Sequence, residues 1–205
     1  MDTKHRILDE ALTLFSQKGY ANVYVGEIAE KVGIKAPSLY KHYKNKQAIF
    51  DAIIGEMNKR YEEQAGTLKI SGVDPTEDAS VYSSISEDKL VEIGTGLFLY
   101  FLHDDYTCRF RKILTIEQFH NKDFAAIYSS QYVDGPISYQ KMLFQYMVAN
   151  GAFKPAEVDV MTLQFYSPIY MLLTLCDRES DREAEALELL EKHLRQFSEI
   201  YGGTQ

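Results

Sequence analysis

The sequence predicts an all-α chain, with a small N-terminal three-helix unit followed by a larger helical bundle. Apolar residues recur at spacings of three and four along most of its length, and strand-like alternation is almost absent. Clusters of Gly, Pro, Asn and Asp interrupt that period at helix-length intervals. With 205 residues, 45 % of them apolar, there is material for one large or two small cores.

The elements follow in order. Ile7, Leu8, Ala11, Leu12, Leu14 and Phe15 form one stripe, and Gly19 in "QKGY" stops the first helix. A second helix over 24–31 turns Ile28 and Ala29 inward and ends at Gly33. A third over about 36–43 buries Leu39 and Tyr43. Asn45 reads as the N-cap of a long fourth helix that runs through Ala48, Ile49, Ile53 and Met57 to about Gln64. Residues 66–86, rich in Gly, Pro, Ser and acids, read as a partly mobile connector. Helices resume over about 86–103, 105–118, 121–131, 135–150, 156–177 and 181–201, separated by "HDD", "HNKD", "DGP", "NGAFKP" and "DRESD".

Charge is unevenly spread over these elements. The net charge is -8, yet residues 1–50 hold eight Lys or Arg against five acids, +3, which leaves -11 for the remainder. Four of those lysines lie within "GIKAPSLYKHYKNK", residues 33–46. A basic module on an acidic body suggests a local anionic partner. Two short helices joined by a tight turn at Gly33, the second bearing Lys35, Ser38, Tyr40, Lys41 and His42 around Leu39, have the build of a helix-turn-helix. In that build the second helix enters a major groove, and lysines and tyrosine hydroxyls reach phosphates. Lys46 and Lys35 each stand in or beside the first turn of a helix, where a cation opposes the macrodipole, and a bound phosphate resolves both conflicts. A helical hairpin with a solvated lysine face is the competing reading.

The string "RILDEALTLFSQKGYANVYVGEIAEKVGIKAPSLYKHYKNKQAIF", residues 6–50, resembles the DNA-binding domain of the TetR family of bacterial transcriptional repressors. The matching landmarks are Ile7, Ala11, Phe15, "KGY" at 18–20, "IAEKVGI" at 28–34, "LYKHY" at 39–43, Lys46 and Phe50. The resemblance implies a helix-turn-helix domain over 1–50, an effector-binding and dimerisation domain over 51–205, and a cytoplasmic homodimeric repressor. Such a repressor binds a pseudo-palindromic double-stranded operator and is released by a small molecule. By position it places Lys35, Ala36, Pro37 and Ser38 at the base-facing start of the recognition helix. Tyr40, Lys41, His42 and Lys46 fall at phosphate-holding positions, and Val25 and Gly26 at the start of the supporting helix. The chain departs from the family where Lys35, Val23 and Tyr24 replace the frequent Ser or Thr, and where Gly26 replaces the frequent Arg.

Two C-terminal readings complete the picture. Leu187, Leu190, Leu194, Phe197 and Tyr201 follow a 3-4-3-4 spacing. The preceding helix offers Met161, Phe165, Ile169, Leu172 and Leu173. These stripes predict either a four-helix dimer interface built on Phe165, Ile169, Leu172, Leu173, Leu187, Leu190, Leu194 and Phe197, or an intramolecular core. Aromatics with polar tips crowd the middle of the chain. Tyr100, His103, Phe119, Phe124, Tyr128, Tyr166 and Tyr170 are the candidates for a pocket that takes a flat, largely apolar or aromatic effector, against ordinary core packing for each. Arg109, Arg111 and Lys112 read as an attraction for an anionic ligand or as surface charge.

Other function classes find little support. No GxSxG, phosphate loop or HExxH occurs, so no catalytic residue is assigned and the chain is not read as an enzyme. His103, Asp104, Asp105, Cys108 and His120 match no common zinc spacing, so neither metal nor cofactor is expected. No apolar run approaches the roughly 18 residues of a membrane span, and the N-terminus does not resemble a secretory signal. Cys108 and Cys176 form no CxxC pair and read as reduced thiols. A ligand-independent helical DNA-binding protein is the alternative to the effector-released repressor.

Overall fold

A computed structural model describes residues 2–203, and among them there are helices and no strand, apart from an isolated bridge between Phe153 and Gly202. The chain packs as two compact units. One comprises residues 1–60 and 104–128, the other residues 61–103 and 129 onward. The division differs from a boundary at residue 50. Residues 104–128 lie far along the sequence yet bury their apolar face inside the N-terminal unit.

In the first unit α1 (Thr3–Lys18) begins at Asp2, whose carboxylate accepts the His5 N–H at 2.9 Å. It buries Ile7, Leu8, Ala11, Leu12 and Phe15. Helix α2 (Val25–Val32) ends at Gly33, which at φ +75° takes the left-handed conformation that closes a helix, and Ile34 N–H returns to the Ala29 carbonyl at 2.9 Å. The Arg6 guanidinium donates to the Val32 carbonyl and satisfies that helix end from α1. Helix α3 (Ala36–Leu39) is a single turn with Pro37 near its start, extended by turn bonds from His42 N–H and Tyr43 N–H to the Leu39 carbonyl at 2.8 and 3.1 Å. It is therefore shorter than the periodicity over 36–43 suggests. Asn45 caps α4 (Lys46–Thr67) by accepting the Ala48 N–H at 2.8 Å.

Helix α7 (Asp105–Glu117) and helix α8 (Lys122–Ser129) finish this unit. Phe110 and Phe124 are fully enclosed, and with Phe15, Tyr20 and Phe50 they form an aromatic core whose ring centroids lie 4.7–6.3 Å apart. On its rim Arg109 of α7 reaches Asp9 Oδ1 at 2.9 Å and Thr13 Oγ1 at 2.6 Å on α1.

The second unit is a bundle of α5 (Pro75–Tyr82), α6 (Glu87–His103), α9 (Gly135–Ala149), α10 (Val158–Cys176) and α11 (Glu183–Tyr201), with one wide helical turn over 130–134 leading into α9. Among the described residues its cores include a small cluster of Ala65, Ile70 and Ile93 and two larger ones. Val91, Phe98, Leu172, Leu173, Cys176, Ala186, Leu190 and Leu194 make one. Ala79, Leu143, Phe144, Met147, Phe153, Met161 and Phe197 make the other.

The stretch expected to be a mobile connector is instead anchored. Asp74 caps α5 through the Thr76 and Glu77 amides at 2.9 and 3.2 Å, and Pro75 occupies its first turn. Asp78, wholly buried, accepts the Ser71 and Gly72 N–H groups at 2.6 and 2.7 Å together with the Tyr139 hydroxyl. A buried carboxylate demands such donors, and three of them tie the loop and α5 to α9.

Candidate nucleic-acid interface

The surface that carries the basic stretch is built by α2, α3 and the turns around them. Leu39 is completely buried and anchors α3, so the residues beside it are turned outward. Gly26, Lys35, Pro37, Tyr40, Lys41 and His42 are exposed, and Val25, Ala36 and Ser38 are half-buried. Among the described residues Lys35, Lys41 and Lys44 have no carboxylate partner, whereas Lys18 is paired with Glu27. Glu27 also accepts the Tyr24 N–H at 3.2 Å, and the hydrogen bond from Lys18 is the main reason its carboxyl lies below the usual range. The acid nearest the front of the hairpin is thus neutralised, and three lysines stay free for an anion.

Lys46 stands apart from this group. Its ammonium is turned inward, donates to the carbonyl oxygens of Tyr20 at 2.7 Å and Val23 at 2.9 Å, and lies 4.4 Å from the centre of the Tyr20 ring. Burial pushes its pKa down, and the Glu117 carboxylate pushes it back up. The cation that opposes the α4 dipole thus has backbone carbonyls of the α1–α2 turn as its partners, where a phosphate was expected. Tyr24, noted in the sequence as a departure from the family, is exposed at the start of α2, and Glu117, which the sequence does not single out, is 97 residues from its partner Tyr20.

The proposed effector residues are divided between the two units. Phe119, Phe124 and Tyr128 belong to the first unit, and Tyr100, His103, Tyr166 and Tyr170 to the second. Phe119 is 81 % exposed. Phe124 is core, 4.9 and 4.7 Å from the Tyr20 and Phe50 rings, and Tyr128 is buried. His103 is exposed beside Glu183 at 2.9 Å. Tyr100 packs on Phe101, and the Tyr166 hydroxyl donates to the Tyr132 carbonyl at 2.8 Å, with Tyr170 beside it. Arg109 is committed to Asp9 and Thr13 inside the first unit.

The dimer stripe is corrected as well. Leu172, Leu173, Leu190, Leu194 and Phe197 are buried within their own unit, and Phe165, Ile169 and Leu187 pack against the same cores. The intramolecular alternative describes the five buried residues, while Phe165, Ile169 and Leu187 are only partly buried. The outward face of α10 carries Val160, Leu163 and Met171, and that of α11 carries Leu189 and Ile200, all exposed.

Among the described residues no group of three or more His, Cys, Asp or Glu is placed to hold a metal ion. No described helix is long and apolar enough to cross a membrane.

Residues 7–53 match the family described as bacterial regulatory proteins, tetR family. Over 47 residues the chain is 49 % identical to the biofilm operon icaADBC HTH-type negative transcriptional regulator IcaR of Staphylococcus epidermidis, a match covering 23 % of this chain and 25 % of that protein. It is 31 % identical over 104 residues to the uncharacterized HTH-type transcriptional regulator YdgC of Bacillus subtilis, covering 46 % and 53 %. The chain thus spans between a quarter and about half the length of these curated relatives. A TetR family transcriptional regulator from Pseudomonas syringae pv. tomato has the same fold, with a TM-score of 0.66 at 15 % identity over 97 % of this chain and 96 % of that one.

Proposed function

Because the chain belongs, through its N-terminal domain, to the tetR family of bacterial regulatory proteins, we propose that it is a non-enzymatic transcriptional regulator. In this reading it represses by binding a pseudo-palindromic operator as a homodimer in the cytoplasm, and a small, largely apolar or aromatic effector releases it.

The observation that carries the reading is the hairpin itself. A left-handed glycine ends α2, a buried Leu39 seats α3, and free lysines with exposed Pro37, Tyr40 and His42 project from a chain that is otherwise acidic. The helix start offers small and apolar side chains at Ala36 and Pro37, which suit a thymine methyl better than a guanine edge. Lys41 and Tyr40 take phosphates, with Lys35 beside them. Two-fold pairing is supported by the outward apolar residues of α10 and α11. Release by an effector is supported by the aromatic content of the second unit, where Phe144 pairs with Phe165 and Tyr166 with Tyr170.

Selection of duplexes from a random-sequence pool, followed by footprinting of the selected sequence, tests the reading. The expected result is an inverted repeat protected on one face of the duplex. A protein that enriches no sequence and binds no duplex at low salt sinks it. Thermal-shift screening of flat aromatic compounds, followed by displacement of the selected duplex, separates the repressor from a ligand-independent DNA-binding protein. Compounds that bind but leave DNA affinity unchanged favour the latter.

A further inference from the structure

One residue of the turn between α1 and α2, Tyr20, is held through both of its flanking peptide groups. On one side the Tyr20 N–H donates to Glu117 Oε1 at 2.8 Å. On the other the Tyr20 carbonyl accepts from Lys46 at 2.7 Å. The Tyr20 ring fills the space between, against Phe15, Phe50 and Phe124, and its hydroxyl donates to Gln47 at 3.0 Å. Gly19 completes the grip. It lies at φ +81°, and a Cβ there would stand 2.9 Å from the Glu117 carboxylate oxygen, so a side chain at this position would displace the carboxylate or the turn.

Glu117 is an unfavourable residue for its place by two independent criteria. It is the last residue of α7, where the negative end of the helix dipole repels a carboxylate, and it is only 8 % exposed. What compensates it is what it touches, the Tyr20 N–H and the nearby positive charge of Lys46. Nor is it needed to dock α7, since Arg109 already binds Asp9 and Thr13, and Phe110 already fills the core below. Its carboxylate is directed at the turn that leads from Tyr20 within six residues to Tyr24, Val25 and Gly26 at the start of the supporting helix.

We infer that Glu117 is a positioning residue for DNA binding, one that holds the α1–α2 turn and Lys46 in the arrangement the helix-turn-helix requires while touching no DNA itself. The inference rests on the DNA-binding reading above. It assigns to a residue of α7, far outside the matched 7–53 segment, a part in the placement of α2 and α3. Lys46 acts with it from the start of α4.

The test uses the full chain and a duplex selected by the wild-type protein from a random-sequence pool. Three variants divide the roles of the carboxylate. Glu117→Ala removes both reach and charge, Glu117→Asp keeps the charge and shortens the reach, and Glu117→Gln keeps the reach and removes the charge. Alanine and aspartate are expected to weaken affinity for the duplex about tenfold, to speed amide exchange at Tyr20, and to leave the slope of log K against log salt unchanged because no phosphate contact is lost. Glutamine restores the acceptor and most of the affinity. Aspartate keeps the test alive if the alanine variant fails to fold. Affinity and Tyr20 exchange equal to wild type in the aspartate and alanine variants, with only a lower melting temperature, overturn the inference. So does a glutamine variant no better than alanine, or a salt slope shallower by about one unit in the alanine variant. A wild-type protein that selects no duplex sinks the DNA-binding reading and this inference with it. A wild-type that binds while its aspartate and alanine variants bind equally well sinks this inference alone.

Discussion

Lys46 donates to the backbone carbonyl of Tyr20 at 2.7 Å and sits over its ring, so the first residue of α4 holds the end of the α1–α2 turn. Lys46→Ala is therefore expected to cost about 1–2 kcal/mol of stability, read from urea unfolding, because a charged donor to two carbonyls is lost. Its slope of log K against log salt on DNA should match wild type. Lys41→Ala, from an exposed cation with no partner among the described residues, should instead make that slope shallower by about one unit with little change in stability. A reversal of these two results would return Lys46 to the phosphates.

Burial decides a second prediction, about assembly. Leu194 is 1 % exposed in the core of the second unit, so Leu194→Ala should cost about 2–5 kcal/mol whatever the oligomeric state. The exposed residues of α10 are the ones to change for a dimer. Leu163→Glu with Met171→Glu should give a folded monomer by light scattering. A double variant that stays dimeric places the interface elsewhere.

Asp78 gives a third. Its two carboxylate oxygens face the Ser71 and Gly72 amides and the Tyr139 hydroxyl, all donors. Asp78→Asn turns an NH2 group toward one of them and is expected to cost about 3 kcal/mol, with faster amide exchange over residues 71–82. Exchange at wild-type rates in that stretch would show that another contact anchors α5.

Alkaline pH should weaken the second unit. Burial first, and then the Asp78 charge, push the Tyr61 hydroxyl from 10.0 up to about 12, and the same two influences raise Tyr82. Burial and the hydrogen bond to Asp78 raise Tyr139. A group whose folded pKa exceeds its unfolded value contributes stability that is fully present below the unfolded pKa and disappears as pH rises through the folded one. The urea midpoint should hold steady up to about pH 10 and fall between about 10 and 12. Asp78→Asn should move the tyrosinate absorbance rise of these buried groups to lower pH.

The helices were legible in the sequence because each carries its own evidence, a 3-4 apolar spacing and a cap within a few residues of its end. Gly19, Gly33 and Asn45 end or start helices where their chemistry says they should. The basic hairpin was legible for the same reason, since its glycine, its buried leucine and its lysines lie within one short stretch. Even α5 had its signal in "DPTED", an N-cap aspartate followed by a first-turn proline, hidden by the polar composition around it.

What the sequence by itself determined, then, is local: helix positions, turn residues, the charge contrast between the two ends, and the family of the first fifty residues. The tertiary structure decided which partner each apolar stripe and each charge would meet. Leu190 and Leu194 have the same spacing whether they face their own unit or a second copy, and only packing chose the former. Phe124 was as eligible for a pocket as Tyr166 until it was placed between Tyr20 and Phe50. Lys46 met carbonyls of the α1–α2 turn, and Glu117 met an amide 97 residues away. Periodicity states that a face is buried; it carries no information about what buries it, because hydrophobic burial is non-directional and the partners are distant in the chain.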